Sequence, residues 1–377
     1  MPWTYADLCA VAGAPKASTG PFSYVFKENG TQHVDYVSGD GQVHELWRDD
    51  AGWHHLNLTS ATGSPLVSGD RLNGPAGYIH AGQQHVIFVC DTGDAAGGLR
   101  ELWRDAAGWH HNDLTQAAGG PPAVAVRPCG YSFPAQGTQH VDYIGRDGRL
   151  HELWWDSDGW HHHDLTQASG APLPDPSLPI LGYAMTSDGG SQHVVYIGAD
   201  RRVHELLWSL GTWYHNDLIT WTGAPLADSH GLAGYPVEAP RTQHIYYVGG
   251  GHVHELWADN YGWWRHDDLS AASGTPGPQG GVLCAYAFET DGTRHVMYAS
   301  SEPDVHELWR DENGWHHNDL TLAAGAPATD FAPIAGYATA HSQHVNFVEI
   351  NNLDICELKW RRSERPIEVL PQPFAMG

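Results

Sequence analysis

The sequence predicts an all-β protein: a seven-bladed β-propeller with four antiparallel strands per blade. Two observations carry this prediction. A unit of about fifty residues recurs seven times, and the chain begins with the piece that its last unit lacks. The composition agrees, because 44 glycines, 24 prolines, 17 tryptophans and 16 tyrosines favour short strands and turns over helices. No segment indicates a helix of useful length.

The repeat is aligned on a Gln-His-Val signal. Six of its seven histidines follow Gln, whereas His295 follows Arg294. Successive histidines lie 52, 55, 53, 51, 51 and 49 residues apart, which gives seven units. The aligned histidines are His33, His85, His140, His193, His244, His295 and His344.

Each unit carries four predicted strands in the same order. A small and aromatic run such as GYIHA opens the unit, QHVxY follows, and after a Gly/Asp turn come VHELW and a segment like GWHHNDLT. Short runs rich in Val, Tyr and Trp between turn signals are typical of strands, and four-stranded sheets repeated around an axis form propeller blades. Both faces of a blade press on neighbours, so Val34, Leu46, Trp47, Leu58 and their equivalents are predicted core residues.

The two ends of the chain predict how the ring closes. The last unit has QHVNF and CELKW but continues as RRSERPIEVL where GWHHNDLT is expected. The N-terminal segment PWTYADLCAVAGAP matches Gly108–Pro121 position by position, and a ring closed by this strand leaves no free sheet edge. We therefore expect one domain over residues 1–377. Residues 1–15 hold the outer strand of the closing blade (residues 2–8), and residues 361–377 form a C-terminal tail.

Charge and cysteine content exclude several functions. Nineteen Lys and Arg against 44 Asp and Glu give a net charge of −25, so nucleic acid is not an expected partner. Five scattered cysteines without CxxC spacing indicate neither disulfides nor a cysteine metal site. The chain lacks an apolar membrane span and a signal peptide, so a cytoplasmic protein, or one released without a cleaved signal, is expected. The oligomeric state is left open.

Four polar or aromatic positions recur in all seven units. They are the QHV histidine, the Glu of VHELW, the outer-strand Trp, and an Asp or Asn at the position of the Asp in GWHHNDLT. Buried carboxylates and imidazoles need hydrogen-bond partners. The His, Glu and Trp therefore either form an internal network, as in WD-repeat propellers, or serve a repeated binding site. For the Asp or Asn, a cap on the following turn is favoured.

The blade pattern resembles the fungal fucose-specific lectin family of β-propellers. In that family an Arg opening the second strand and a Glu twelve residues later hold the sugar, and an aromatic side chain from the next blade stacks on it. Here His stands at every matching Arg position, and there are seven units where the family has six. The twelve-residue spacing joins His33 to Glu45, His140 to Glu152, His193 to Glu205 and His295 to Glu307.

Three units depart from this spacing, and their sites are expected to be the first altered or lost. The interval is sixteen residues after His85, across the insertion TGDAAGG, eleven after His244 and thirteen after His344. The turn between the second and third strands adds an open question. A two-residue loop at Asp40-Gly41 would place His33 and Glu45 on opposite faces, whereas a three-residue loop would place them on one face.

These observations predict a non-enzymatic, multivalent lectin with repeated sites between adjacent blades and without a cofactor. The expected partners are glycans or glycoconjugates, fucosylated ones included, and no membrane insertion is expected. The alternatives are a protein-interaction scaffold with structural His-Glu-Trp networks, or a small-molecule enzyme using the central channel. No catalytic or metal residue is assigned, since adjacent histidines of a strand point to opposite faces. The candidate ligand-binding residues are His33, Glu45, Trp53, His140, Glu152, Trp160, His193, Glu205, Trp213, His295, Glu307, Trp315, His244, Glu255 and Trp263.

Overall fold

A computed structural model of the protein describes residues 3–67, 74–90, 97–228, 231–330 and 332–362. In this part of the chain, seven four-stranded antiparallel sheets follow one another around a ring, which confirms the predicted seven-bladed β-propeller. Each of sheets 1 to 6 is made of four consecutive strands, paired in chain order. Sheet 7 takes three strands from the end of the chain and one from its beginning.

The strands have the following bounds. Sheet 7 contains β1 (Thr4–Asp7), β26 (Ala335–Ala338), β27 (Ser342–Val348) and β28 (Ile355–Arg361). Sheet 1 contains β2 (Phe22–Phe26), β3 (Thr31–Val37), β4 (Val43–Asp49) and β5 (Gly52–Asn57). Sheet 2 contains β6 (Ala76–His80), β7 (Gln83–Cys90), β8 (Gly98–Asp105) and β9 (Gly108–Asp113). Sheet 3 contains β10 (Cys129–Phe133), β11 (Thr138–Ile144), β12 (Leu150–Asp156) and β13 (Gly159–Asp164).

The remaining three sheets repeat this plan. Sheet 4 contains β14 (Ile180–Met185), β15 (Ser191–Ile197), β16 (Val203–Ser209) and β17 (Thr212–Asp217). Sheet 5 contains β18 (Leu232–Val237), β19 (Thr242–Gly249), β20 (His252–Ala258) and β21 (Trp264–Asp268). Sheet 6 contains β22 (Pro278–Phe288), β23 (Thr293–Ser300), β24 (Val305–Asp311) and β25 (Gly314–Asp319).

A five-residue helix follows the outer strand of every sheet, although the sequence indicated no useful helix. In the helix after β9, the Asp113 side chain accepts a hydrogen bond from the Gln116 N–H, and Gly119 ends the helix at a φ of 69°. A short 3₁₀ turn covers Ser187–Gly189. The helices are α1 (Leu8–Ala12), α2 (Leu58–Thr62), α3 (Leu114–Ala118), α4 (Leu165–Ser169), α5 (Leu218–Thr222), α6 (Leu269–Ser273) and α7 (Leu320–Ala324).

The predicted closing strand is confirmed. Strand β1 pairs antiparallel with β28, with Thr4 opposite Lys359 and Asp7 opposite Cys356. Pro2, the first residue of the predicted strand, lies outside the described residues, and Leu8 already begins α1. Strand β28 includes Arg361, which the sequence placed in the tail; the tail beyond residue 362 lies outside the described residues.

The core lies between adjacent sheets rather than inside each one. Trp53 of sheet 1, for example, packs on a cluster that contains Val34 and Leu46 of its own sheet and Val348 and Ile355 of sheet 7. Each sheet is therefore apolar on both faces, as the sequence predicted. Among the residues that the structure describes, no helix is long and apolar enough to span a membrane.

Candidate functional site

The QHV histidine and the VHELW glutamate form a hydrogen-bonded pair in every sheet. In sheet 1, His33 Nδ1 lies 2.7 Å from Glu45 Oε1, and the two side chains are 2% and 0% exposed. The other six pairs have distances of 2.7 to 2.8 Å: His85–Glu101, His140–Glu152, His193–Glu205, His244–Glu255, His295–Glu307 and His344–Glu357.

The turn between β3 and β4 explains how His33 and Glu45 meet. Ser38 pairs with Gln42 through its N–H, so the loop between them has three residues. His33 then lies opposite Trp47, and Glu45, two residues before Trp47, shares its face of the sheet. Of the two alternatives that the sequence left open, the three-residue loop is the one observed.

The three irregular units, whose sites are the first expected to be altered or lost, all keep the His–Glu pair. The His85–Glu101, His244–Glu255 and His344–Glu357 distances are 2.8, 2.8 and 2.7 Å. Extra or missing residues change only the loop between the two strands, because the strand register fixes the pair. Residues 91–96, which include most of the insertion after His85, lie outside the described residues.

Each buried histidine is also held on its other sides. In sheet 1, Thr31 Oγ1 lies 2.6 Å from His33 Nε2, and the Tyr24 ring stacks on the imidazole at 5.2 Å. A Tyr ring contacts the corresponding imidazole in all seven sheets. A Thr or Ser hydroxyl lies near Nε2 in six of them. These contacts favour an internal network of His, Glu and Thr or Ser over a free ligand site.

The same tyrosines join neighbouring sheets. The Tyr78 hydroxyl, for example, donates to Gln139 Oε1 of the next sheet at 2.9 Å. The Gln is the residue before the QHV histidine, and a Tyr–Gln bond of this kind spans six of the seven junctions. The six pairs are Tyr24–Gln84, Tyr78–Gln139, Tyr131–Gln192, Tyr183–Gln243, Tyr286–Gln343 and Tyr337–Gln32.

The junction between sheets 5 and 6 is the exception, because Arg294 replaces the Gln there. Arg294 Nη1 lies 3.0 Å from Glu255 Oε1 and 2.6 Å from His244 Nδ1 across the junction. The Tyr235 hydroxyl, without a Gln partner, lies 3.3 Å from that of Tyr246. Burial alone would raise the pKa of Glu255, but the His244 hydrogen bond and then the Arg294 charge lower it below its usual value.

A cleft of about 500 Å³ lies at this junction. Its wall combines groups that can bind a polar ligand with one large aromatic side chain, Trp257, which is half-buried. The indole Nε1 of Trp257 donates to Asp267 at 3.0 Å, and Arg265 lies over the ring at 5.1 Å. The polar and charged residues of the wall are Thr242, His244, Glu289, Thr293, Arg294 and Arg310.

The outer-strand tryptophans do not join the His–Glu pairs. They pack between sheets, each against one of the apolar clusters, as Trp53, Trp160, Trp213 and Trp315 show. The assignment of Trp263 to this position is wrong. Trp264 lies opposite Ala258 in the register that pairs Trp53 with Arg48. Trp263 lies in the preceding turn and is 71% exposed, because this unit has one more residue between its third and fourth strands.

The Asp or Asn that ends each outer strand caps the following helix, as the sequence favoured. Each side chain accepts a hydrogen bond from the backbone N–H three residues later at 2.8 to 3.0 Å. These residues are therefore structural. They are Asp7, Asn57, Asp113, Asp164, Asp217, Asp268 and Asp319.

The central channel and a cluster of two Asp and one His side chain are further places where a ligand could bind. The channel has a volume of about 390 Å³, and the residues that line it are mostly small and apolar; Arg127 is the one charged side chain among those described. Separately, ligand atoms of Asp304, His306 and Asp319 lie within 4.8 Å of one another, a set that could hold a cation. Burial, followed by the Asp319 charge, raises the pKa of Asp304.

The fold is similar to solved structures of lectins. The structure of AofleA from Arthrobotrys oligospora is 13% identical over 86% of this chain and 94% of its own, with a TM-score of 0.55. The fungal lectin of Aleuria aurantia, a six-bladed β-propeller with a novel fucose recognition mode, is 16% identical over 80% and 94%, with a TM-score of 0.53. The expected resemblance to fungal fucose-specific lectins is thus confirmed for the fold, with seven blades here.

A solved structure of a different protein is similarly close in fold. BBS1N, solved in complex with ARL6DN, is 10% identical over 96% of both chains, with a TM-score of 0.55. No protein-family model matches the chain, and no curated protein sequence matches it either. The fold therefore rests on the structure, and the ligand has to be argued from the residues of the site.

Sequence reasoning missed the residues that distinguish the cleft between sheets 5 and 6. Arg294 was visible as the one exception to the Gln-His signal, and Trp257 belongs to the VHELW motif. What the sequence did not show was that Arg294 reaches the Glu255 of the preceding sheet. Of the predicted site residues, His244 and Glu255 meet at this cleft, with His244 on its wall.

Proposed function

We propose that the chain is a carbohydrate-binding protein, without catalytic activity, whose sugar site lies in the cleft between sheets 5 and 6. The supporting observation is the replacement of Gln by Arg294 at this junction, where the repeat breaks and a cleft of about 500 Å³ opens. The lectin structures of similar fold make sugars the first ligand class to test, and fucose the first sugar.

The residues of this cleft suit a sugar. An aromatic ring such as Trp257 can cover the apolar face of a pyranose, while planar groups bind its hydroxyls. Arg294 and Arg310 carry rigid, two-pronged donors, and Glu289 supplies an acceptor at the same wall. In this role Arg294 takes the part that the resemblance gave to an Arg at the start of the second strand, one residue before His295.

The finer prediction of repeated sites at the other six gaps stays part of the proposal. Those sites would use the pairs represented by His33–Glu45, which are buried and bonded to each other. A sugar there would have to open the Tyr–Gln bond that spans the gap. The number of sugars bound per chain therefore separates the two forms of the proposal: one for the cleft at Arg294, and up to seven for a fully multivalent lectin.

The test is a glycan array followed by calorimetric titration of the strongest simple sugar. We expect Arg294→Gln to lower the affinity about tenfold, the size expected for one lost charge-assisted hydrogen bond. This variant restores the Gln of the other junctions and gives Tyr235 a partner, so the fold should be preserved. Trp257→Ala should weaken binding by at least as much, because it removes the ring that covers the sugar.

Arg149→Gln is the matched control. Arg149 lies in sheet 3 and is paired with Asp164 at 2.7 Å, remote from the cleft. The sugar affinity of the Arg149→Gln protein should equal that of the wild type. A folded protein that binds no glycan, or whose affinity is unchanged in both Arg294→Gln and Trp257→Ala, would contradict the proposal.

The second candidate is a protein-interaction scaffold. The observation that favours it is that all seven His–Glu pairs are bonded internally and buried. The structure of similar fold in complex with ARL6DN is consistent with such a role. A silent glycan array from a well-folded sample would favour the scaffold over the lectin.

A further inference from the structure

A second, larger cleft lies where the ring closes, between sheets 7 and 1. It has a volume of about 1410 Å³, and a pocket of about 280 Å³ lies beside it. Arg48, Lys359 and Arg361 line both spaces, and Arg362 lines the larger one. The chain has only 19 Lys and Arg residues against 44 Asp and Glu. The convergence of four cations is therefore a local feature and does not follow from the composition.

Sheet 7 departs from the repeat at three neighbouring positions. In sheet 1, Trp47 stacks on His54, whose Nε2 lies 2.9 Å from Asp49 Oδ1. Sheets 2, 3 and 6 contain the same Trp, His and Asp. In the register of sheet 7, a Lys occupies the position of the Trp, an Arg that of the Asp and a Thr that of the His. The corresponding residues are Lys359, Arg361 and Thr4.

Carboxylates also line these spaces, but none of them is paired with the three shared cations. They are Asp49, Asp50 and Asp291 in the larger space and Glu357 in the smaller pocket. Within the described part of the chain, the side chains of Arg48, Lys359 and Arg361 make no hydrogen bond and no ion pair. By contrast, Arg149 and Arg202 are each bonded to an Asp, at 2.7 and 3.0 Å. Burial lowers the pKa of Lys359 to about 8; the Glu357 charge opposes this change, and the charges of Arg48 and Arg361 add to it. An anion in the cleft would relieve this repulsion.

The cleft also presents aromatic and hydroxyl groups beside the cations. Trp360 also lines the larger space, but it lies on the opposite face of β28 from Lys359 and Arg361, with its ring edge-on to Phe288 of sheet 6 at 6.2 Å. Trp53 lines the smaller pocket. On the rim, Arg362 is held by Asp291 at 2.8 Å, so that part of the charge is already neutralised. The unpaired cations line the smaller pocket together with Trp53, a ring on which a sugar could stack.

We propose that this cleft binds the carboxylate of an acidic saccharide, with Arg48, Lys359 and Arg361 holding the anion and Trp53, which lines the smaller pocket with them, contacting the sugar ring. The saccharide part of this inference rests on the carbohydrate-binding function proposed above, whereas the anion rests on the cations alone. The site is separate from the cleft at Arg294. Guanidinium groups bind carboxylates through two parallel hydrogen bonds, and an ammonium adds a compact charge.

The experiment is calorimetric titration of the full chain with trigalacturonate and with its fully methyl-esterified form at low ionic strength. The ester keeps the sugar and removes the charge. We expect trigalacturonate to bind at least tenfold more tightly than the ester, and added NaCl to weaken its binding. Lys359→Gln should lower the trigalacturonate affinity about tenfold. The control variant Arg149→Gln removes a cation of sheet 3 and should leave the trigalacturonate affinity unchanged.

A second variant covers the case in which Lys359→Gln fails to fold. The double substitution Lys359→Trp and Arg361→Asp gives sheet 7 the residues of sheet 1 at these positions, and should abolish the preference for trigalacturonate. Equal affinities for acid and ester, or an unchanged trigalacturonate affinity in every folded variant, would overturn the inference. A chain that binds neutral sugars through Arg294 but not trigalacturonate would keep the proposed function and lose this site; the reverse result would keep this site alone.

Discussion

The residue two places after the QHV histidine shows how far single positions differ among equivalent sheets. It is Asp35 in sheet 1 but Ile87 in sheet 2 and Val195 in sheet 4. Asp35 is fully buried, and neither carboxylate oxygen has a hydrogen-bond partner among the described residues. Burial first, and then the Glu45 charge, raises the pKa of Asp35 well above its usual range.

We expect Asp35→Val to stabilise the protein by about 1–3 kcal/mol near pH 8, since it removes a buried polar group without a partner. The pKa of Asp35 is higher in the folded protein than in the unfolded chain. The pH-dependent part of the stability that Asp35 contributes is therefore fully present below about pH 4, and it is lost as the pH rises through the folded pKa. The gain in Asp35→Val should therefore grow with pH. Urea unfolding at pH 5 and pH 8 measures both effects.

The reverse substitution, Val195→Asp, is the matched control for Asp35→Val. It places a carboxyl group at the equivalent position of sheet 4 and should destabilise the protein, more at pH 8 than at pH 5. If Asp35→Val instead lowered the free energy of unfolding at pH 8, the Asp35 carboxyl would have a stabilising partner, and the energetic account of this position would be wrong.

At the scale of elements, the third and fourth strands of five sheets are joined by pairs of histidines. His44 Nδ1 lies 2.9 Å from His55 Nε2, and the other pairs are 3.0 Å apart. One proton between two ring nitrogens makes a hydrogen bond, whereas two protons there repel. The pairs are His44–His55, His151–His162, His204–His215, His254–His266 and His306–His317.

These pairs predict a loss of stability in acid. Burial, followed by the His55 charge, lowers the pKa of His44 to about 4, and burial lowers the pKa of His55. A lowered histidine pKa gives stability above about pH 6.5 that is lost as the pH falls toward the folded pKa. We expect the free energy of unfolding to drop between about pH 6.5 and 4, and His55→Gln to reduce this slope by up to about 1.4 kcal/mol per pH unit.

The control for this prediction is His163→Gln, which removes an exposed histidine outside the five pairs. Its pH dependence should match that of the wild type in denaturant unfolding series from pH 4 to 8. Slopes that are equal in the wild type and in His55→Gln would show that the His44–His55 pair does not carry the acid sensitivity.

The strands and their order could be predicted from the sequence because they repeat, but the contacts that decide function could not. The match of Trp3 to the outer strands and the capping role of Asp113 follow from local patterns. In GWWRHDD, by contrast, both Trp263 and Trp264 fit the pattern, and only the strand register chooses Trp264. Whether a His–Glu pair is free or buried depends on a Tyr from another strand, which spacing alone does not reveal.

At the scale of the whole molecule, the ring is held by the same contacts at its closing junction as elsewhere. The Tyr337 hydroxyl donates to Gln32 Oε1 at 3.1 Å, the bond that spans five other junctions. The Cys9 Sγ accepts from the Ile355 N–H at 3.2 Å, which ties the start of α1 to β28. The closure of the ring therefore depends on β1, a short strand from the N-terminal end of the chain that pairs with the last strand.

This closure predicts that Leu8 and Leu58 are energetically equivalent. Both are fully buried at the first position of the helix that follows an outer strand, but Leu8 belongs to the N-terminal segment and Leu58 to the interior of the chain. Leu8→Ala and Leu58→Ala should each cost about 2–5 kcal/mol in urea unfolding, because each leaves a cavity between two sheets. Suppose that Leu8→Ala left the free energy of unfolding unchanged while Leu58→Ala lowered it. The N-terminal strand would then not complete sheet 7 in solution, and the pocket lined by Arg48 and Lys359 would lose part of its wall.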